Sequence, residues 1–310
     1  MEQPICFHLS GCEEGRLHGH PYQIQYFPSI DSFGICGSSS RTMALIALPM
    51  LIQPEKNKKN VNAVKLFKSR GDQDFFTCVE YSPSAERLVT GGTDGLLRVW
   101  FPHKNTCCER VLSGHMKPIN HIMFNDEDKL LVSLSEDMNV RVWSEDGWMC
   151  RQTIGKCLGR GTDPVCSALY HTISFDESQR RLITISQDGK VRLWNFNSGT
   201  ELAVLPVTVP RQVTGIVCIN NRVFVAGRKS KTIFDLDMEE HDHRFLEHDH
   251  LDDITSLDVH ENTLITASSN GNIIIWDADT AEVLYRVNAN ICDDLIRVLF
   301  LLSFSLYSTI

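Results

Sequence analysis

The chain lacks a hydrophobic run of the length a membrane-spanning helix needs, about 20 residues. A strongly apolar stretch, VLFLLSFSLYSTI at 298–310, is too short and has no polar flank at its far end. It reads as a buried strand or an abnormal chain end, and a membrane is not an expected partner. Basic charge is also scarce: 30 Lys and Arg stand against 39 Asp and Glu, a formal net charge of -9. Phosphate-backbone binding needs clustered Lys and Arg, so nucleic acid is not an expected partner either. The short basic run Lys56, Asn57, Lys58, Lys59 reads as a solvated loop. There is no regular cysteine framework. The 11 cysteines are odd in number; Cys107 and Cys108 are adjacent, while Cys78, Cys166 and Cys218 lie in apolar runs. This pattern fits reduced thiols in an intracellular, cytoplasmic protein. No basic-then-apolar signal segment opens the chain. No HExxH, Gly-rich phosphate loop or nucleophile elbow is present. No enzyme activity, catalytic residue, cofactor or resident metal is expected.

What is present is a repeat. LVTGGTDGLLRVW (88–100), LVSLSEDMNVRVW (131–143), LITISQDGKVRLW (182–194) and LITASSNGNIIIW (264–276) fit one template. Two apolar residues lead to a Ser or Thr, then a small residue, an Asp or Asn, a turn and a strand ending in Trp. Two weaker copies, ICGSSSRTMALI and VFVAGRKSKTIF, place Ile46 and Phe234 at the ring position. The six positions recur at intervals of 40 to 54 residues. That is the spacing of a four-stranded blade, which cannot bury its faces alone. Side chains alternate across a strand, and blades are covered on both faces, so strands such as RLITI and VRLW are almost continuously apolar. The pairs at 94–95, 188–189 and 270–271 read as hairpin turns favouring positive φ. Asp137-Met138 keeps the acid without the glycine.

Upstream of each copy lies another strand. GHMKPINHIMF (114–124) and GHPYQIQYF (19–27) open with Gly-His, DHLDDITSLDV (249–259) keeps His250, and GDQDFFTCVEY carries Asp72 instead. A buried Asp is costly unless hydrogen-bonded. A network from Asp137 through His115 and Ser133 to the Trp143 N–H would satisfy it, which makes His115 a structural histidine. The matching positions elsewhere are Thr90, Asp94 and Trp100; Thr184, Asp188 and Trp194; and His250, Thr266, Asn270 and Trp276.

This set resembles the tetrad of the WD40-repeat β-propeller family: Asp94, Asp137, Asp188 and Asn270 each fall six residues before a Trp. The resemblance covers nearly the whole chain. It implies an all-β WD40 β-propeller with six recognisable repeats and an interrupted seventh. Three copies depart from the pattern: Cys166 stands near one expected His, and Arg228 and Ser40 stand at expected acids. Those blades are expected to rely on packing and to be the softest. The chain also looks like part of the large WD-repeat proteins of the Y-chromosome type. Their relatives are linked to cilia, flagella or testis. Several carry an EF-hand region, but no EF-hand loop is present here and calcium binding is not carried over.

The propeller is expected to span residues 1–300. Within ICDDLIRVLF, Leu295, Val298 and Phe300 match the spacing of Ile119, Ile122 and Phe124, as the first strand of a seventh repeat would. Residues 301–310 form a divergent apolar tail that could complete the last blade. Pairing by Ile5 to Leu9 is one route to closure, and a six-bladed ring with a tail is the alternative.

The functional expectation is a non-enzymatic scaffold that presents propeller loops to proteins or peptides. Residues beside the turn acids are the candidate partner contacts: Thr93, Glu136, Gln187 and Ser269, with Arg228 and Lys229 suited to an acidic segment. The alternative places a metal-binding or enzymatic role in EEHDHRFLEHDHLDD (239–253), where His241, His243, His248 and His250 stand among carboxylates. A further alternative is an incomplete variant without independent function. Trp148, outside every ring position, is expected to cover the outer strand of its own blade rather than anchor a partner.

Overall fold

The computed structural model describes residues 21–37, 41–48, 64–69, 74–103, 106–137, 139–155, 173–176, 178, 180–185, 189–209, 213–227, 232–238, 243–246, 250 and 252–288. Among them, twenty-four strands build six four-stranded sheets, each a meander in chain order. This is the all-β architecture of propeller blades. The chain divides into two compact units, Met1–Thr153 and Ile154–Ile310, with the division inside one strand.

The first unit holds three sheets. They are β1 (Pro21–Phe27), β2 (Ser32–Gly37), β3 (Thr42–Ala47) and β4 (Val64–Lys68); β5 (Phe76–Ser82), β6 (Arg87–Gly92), β7 (Leu97–Trp100) and β8 (Cys108–Leu112); and β9 (Ile119–Asn125), β10 (Leu130–Ser135), β11 (Asn139–Ser144) and β12 (Cys150–Gly155). The second unit holds β13 (Ile173–Phe175), β14 (Leu182–Ile185), β15 (Lys190–Asn195) and β16 (Thr200–Thr208); β17 (Val213–Ile219), β18 (Arg222–Gly227), β19 (Ile233–Asp237) and β20 (His243–Leu246); and β21 (Ile254–His260), β22 (Thr263–Ser268), β23 (Asn272–Asp277) and β24 (Val283–Asn288). The expected seventh strand, the tail 301–310 and the segment Ile5 to Leu9 lie outside the described residues.

The continuous apolar character has the expected cause. In the second sheet Leu88 and Trp100 pack with Met43 and Phe67 of the first, while Val89 and Val99 pack with Ile119 and Leu131 of the third. Adjacent residues of one strand therefore serve two different cores, so neither face can be polar. The same arrangement joins the fourth sheet to the fifth and the fifth to the sixth. Outer strands escape this demand: in β24, Leu284, Tyr285 and Val287 are exposed.

Strand register locates the ring positions. Leu88 pairs with Trp100, Leu131 with Trp143, Leu182 with Trp194 and Leu264 with Trp276. In the first sheet Phe33 pairs with Ile46, as the sequence places it. The fifth sheet corrects the sequence reading. Its first hairpin pairs Cys218 with Val223, and Val223 pairs with Leu236. Leu236, not Phe234, occupies the Trp position; it is fully buried, whereas Phe234 is only partly so. The copy fits once its hairpin is one residue longer, the spacing that Phe33 and Ile46 also show. Arg228 then no longer falls at the acid position.

The turns also differ from expectation. Gly92 N–H donates to the Leu96 carbonyl at 3.1 Å, and Gly95 N–H to the Gly92 carbonyl at 3.2 Å. Only Gly95 takes positive φ, at 74°; Asp94 does not. This is a three-residue loop closed by a left-handed glycine, not a two-residue turn. It leaves the Asp94 carboxylate free to accept the Leu96 N–H at 3.2 Å. A Cβ at Gly95 would sit 2.9 Å from the His115 carbonyl oxygen, so glycine also permits the third sheet's approach.

Candidate functional site

The hydrogen-bond network is complete in the third sheet. His115 Nδ1 lies 3.0 Å from Asp137 Oδ2, and its Nε2 lies 2.8 Å from Ser133 Oγ. Trp143 Nε1 donates to the same Oγ at 2.8 Å. A carboxylate only accepts, so Nδ1 carries the proton and Nε2 accepts the Ser133 hydroxyl. Asp137 also accepts the Met116 and Asn139 backbone N–H groups at 3.1 and 3.0 Å. It thereby fastens the loop before β9 to the loop after β10.

Electrostatics agree with a neutral imidazole. Burial pushes His115 below its ordinary value of 6.5, and Asp137 only partly offsets this. Burial would raise Asp137, but the N–H groups of Met116 and Asn139, together with His115, hold it below 3.8. Between 6.5 and the lower folded value the unfolded chain binds more protons at His115, so stability falls as pH falls through that window. The Asp137 contribution is present above 3.8 and is lost only below it. The urea midpoint of the first unit is expected to drop from pH 7.5 to 5.5, and His115→Asn to flatten that drop. Parallel profiles for the two proteins would refute the assignment.

The other sheets solve the same problem with different residues. The Trp100, Trp194 and Trp276 indoles donate to Thr90, Thr184 and Thr266 at 2.9, 2.9 and 3.0 Å. In the sixth sheet, His250 Nε2 meets Thr266 Oγ1 at 2.8 Å, but its Nδ1 meets Ser268 Oγ at 2.9 Å. Ser268 in turn donates to Asn270 at 2.6 Å. The serine is an added relay that brings the shorter Asn side chain into the chain. In the second sheet, Arg98 bonds Asp94 at 2.5 Å and lies 3.5 Å from Asp74. Sequence reading missed Arg98, although Arg recurs two residues before Trp100, Trp143 and Trp194. Asp188 and Cys166 lie outside the described residues.

The fifth sheet has no Trp at the ring position and no His in the segment leading into its first strand, yet packing is not its only support. Asp235 is fully buried. It accepts Arg222 Nε at 2.6 Å and also Arg244 Nε, while Arg222 reaches Asp237 at 3.0 Å. The signal was Asp235 in FDLD, at a position where the Trp copies carry Val99, Val142, Leu193 and Ile275.

Of the candidate partner contacts, Thr93, Glu136 and Ser269 occupy one equivalent position in three sheets. Each backbone N–H donates to the residue just before the first strand: Phe75 at 3.0 Å, Pro118 at 3.0 Å and Asp253 at 2.9 Å. All three residues are partly exposed. Gln187, Arg228 and Lys229 lie outside the described residues, as do His241 and His248. Among the described residues no group of three or more His, Cys, Asp or Glu is placed to hold a metal ion. Nor is any described helix long and apolar enough to cross a membrane. Trp148 is half-buried and stacks edge-on with Phe124 of β9 in its own sheet, with ring centroids 6.3 Å apart.

Residues 61–100, 106–144 and 242–277 are WD40 repeats, matched by a family model for the WD domain, G-beta repeat. Propellers of this family are generally non-enzymatic and bind proteins. Among known proteins, the chain is similar to WD repeat-containing protein on Y chromosome of Drosophila mojavensis, 26% identical over 199 residues, covering 59% of this chain and 16% of that protein. The protein of the same name from Drosophila pseudoobscura pseudoobscura is 24% identical over 265 residues, covering 76% of this chain and 24% of its own. The chain thus spans about a quarter or less of these relatives' length. A crystal structure of the computationally designed Ika8 protein matches with a TM-score of 0.64 at 18% identity, over 89% of this chain and 76% of that one. That likeness concerns the fold alone.

Proposed function

We propose that the chain is a non-enzymatic scaffold that holds protein or peptide partners on the loops following the second strand of each sheet. The observation behind this reading is how the buried polar groups are used. His115, Asp137, His250 and Asn270 are spent on tying loops together, which leaves His115 neither charged nor free to act as a base. The loops carrying Thr93, Glu136 and Ser269 are each tied by a backbone bond to the residue before the sheet's first strand, so a partner meets a preorganised surface. Gln187, Arg228 and Lys229 extend this proposal by sequence position. Free thiols at the buried Cys36 and Cys78 favour an intracellular setting, with a cilium or flagellum as the site to examine by tagging.

The test is partner capture with the 310-residue chain, followed by affinity measurement for each verified partner. Glu136→Ala, Gln187→Ala and Arg228→Ala are expected to weaken at least one partner about tenfold, the scale of one lost interface anchor. Unchanged affinity of every verified partner for all three variants would overturn the assignment of this face.

A further inference from the structure

A cleft of about 290 Å³ lies in the first unit, where β1, β5 and β9 run into their first turns. It is on the opposite ends of these strands from the loops carrying Thr93 and Glu136. Four aromatic rings line it: Tyr26, Phe27, Tyr81 and Phe124. Two carboxylates, Glu80 and Asp126, line it as well. Glu80 is half-buried, and its carboxylate's only hydrogen bond among the described residues is a long one from the Tyr81 backbone N–H, at 3.3 Å. Neither Glu80 nor Asp126 has a cationic partner among those residues. The cation nearest to Glu80 in sequence, Arg87, is committed to Glu109 at 2.6 Å and lies over the Phe101 ring.

A half-buried carboxyl without a cation is driven toward its protonated form, and an arriving cation would favour its ionisation. Burial pushes the Glu80 carboxyl up to about 8 against the Tyr81 N–H, and Asp126 pushes the same way. Asp126 is itself raised by burial and by Glu145. Glu145, held by Ser82 and Ser84, is a further acid beside them and supplies no counter-charge. Two acids and four rings around one cleft are matched by a group that is cationic at its tip and apolar along its stem.

We propose that this cleft receives a basic side chain, lysine or arginine, from an extended segment of a protein partner, with Glu80 and Asp126 as counter-charges and the four rings as walls. The site goes beyond the loop surface proposed above and uses none of its residues, so either can fail alone. A bound metal is disfavoured because the two acids have no third ligand among the described residues. A purely apolar occupant would leave both acids unpaired.

The experiment titrates the full chain with deca-lysine and follows the methyl resonance of Met123, which also lines the cleft. Deca-serine is the control peptide. Deca-lysine is expected to shift that resonance saturably, and deca-serine to leave it in place. Glu80→Gln and Asp126→Asn are each expected to weaken binding at least tenfold. Asp146→Asn, which removes an exposed acid of the same unit outside the cleft, is expected to stay within twofold. Asp126 is on an exposed turn, so its variant keeps the test valid if Glu80→Gln perturbs folding. A static Met123 signal, or equal weakening by Asp146→Asn, would overturn the proposal, the latter by showing only diffuse attraction to an acidic surface.

Discussion

Asp235→Ala is expected to destabilise the second unit by about 3–5 kcal/mol, the usual cost of breaking a buried ion network from one side. Asp235 is completely shielded from solvent in β19, and its carboxylate serves two guanidinium groups. Its removal leaves Arg222 with Asp237 alone and Arg244 with the Ala278 carbonyl, 2.9 Å away. Both arginines are partly exposed, at 20% and 36% of the side chain, so water can rescue some of the lost energy. That places the result toward the lower end of the range. Trp276 packs in the core shared by the fifth and sixth sheets, so its fluorescence reports unfolding in urea. Replacing Asp235, Arg222 and Arg244 together with apolar residues of similar size is expected to recover most of the loss, because the buried carboxylate and both guanidinium groups go together and only the partly exposed Asp237 loses its bond to Arg222. A single Asp235→Ala cost below about 1 kcal/mol, the range of an exposed pair, would show that the network is peripheral.

The same sheet shows where sequence reading failed. Phe234 and Leu236 are two residues apart on one strand, so both point to the same face. A slip of two residues leaves the hydrophobic pattern unchanged, and anchoring the copy on its aromatic residue selected the wrong one. The hairpin length decided the register, and that is visible only when Val223 is seen opposite Leu236. The four Trp copies escaped the ambiguity because acid, turn and ring keep one spacing in all of them. Their continuous apolar strands and their indole–hydroxyl pairs could be read directly.

The networks were legible only in part. His115, Ser133, Asp137 and Trp143 are all of the expected residue types, and chain spacing alone brings them together. Arg98 and Ser268 were not predicted because each fills a gap that arises in space. Arg98 lies beside Thr90 on the facing strand and bonds an acid four residues earlier. Ser268 bridges a histidine and an amide from different loops. A sequence template records which residue is missing from a network, but not which neighbour is close enough to replace it.

Trp276→Ala carries the other large expected effect, about 3–5 kcal/mol, the range for deleting a buried aromatic side chain. The indole is 1% exposed and packs with Phe224 and Ile233 of the fifth sheet as well as Ile254 and Leu264 of its own. Its loss opens a cavity bordered by two sheets, which rigid strands cannot readily collapse. The hydrogen bond to Thr266 is the smaller share. Trp276→Phe removes that bond but keeps most of the apolar contact, and Thr266 can still donate to His250. Its cost is expected to be about 1–2 kcal/mol, from one lost hydrogen bond and a slight loss of fit. The ratio between the two variants is the informative quantity. If Phe is as damaging as Ala, the indole N–H and its network hold these sheets together. If Phe recovers more than half of the stability, packing between sheets dominates, and the hydrogen-bonded chain serves mainly to set the loop geometry that a partner would meet.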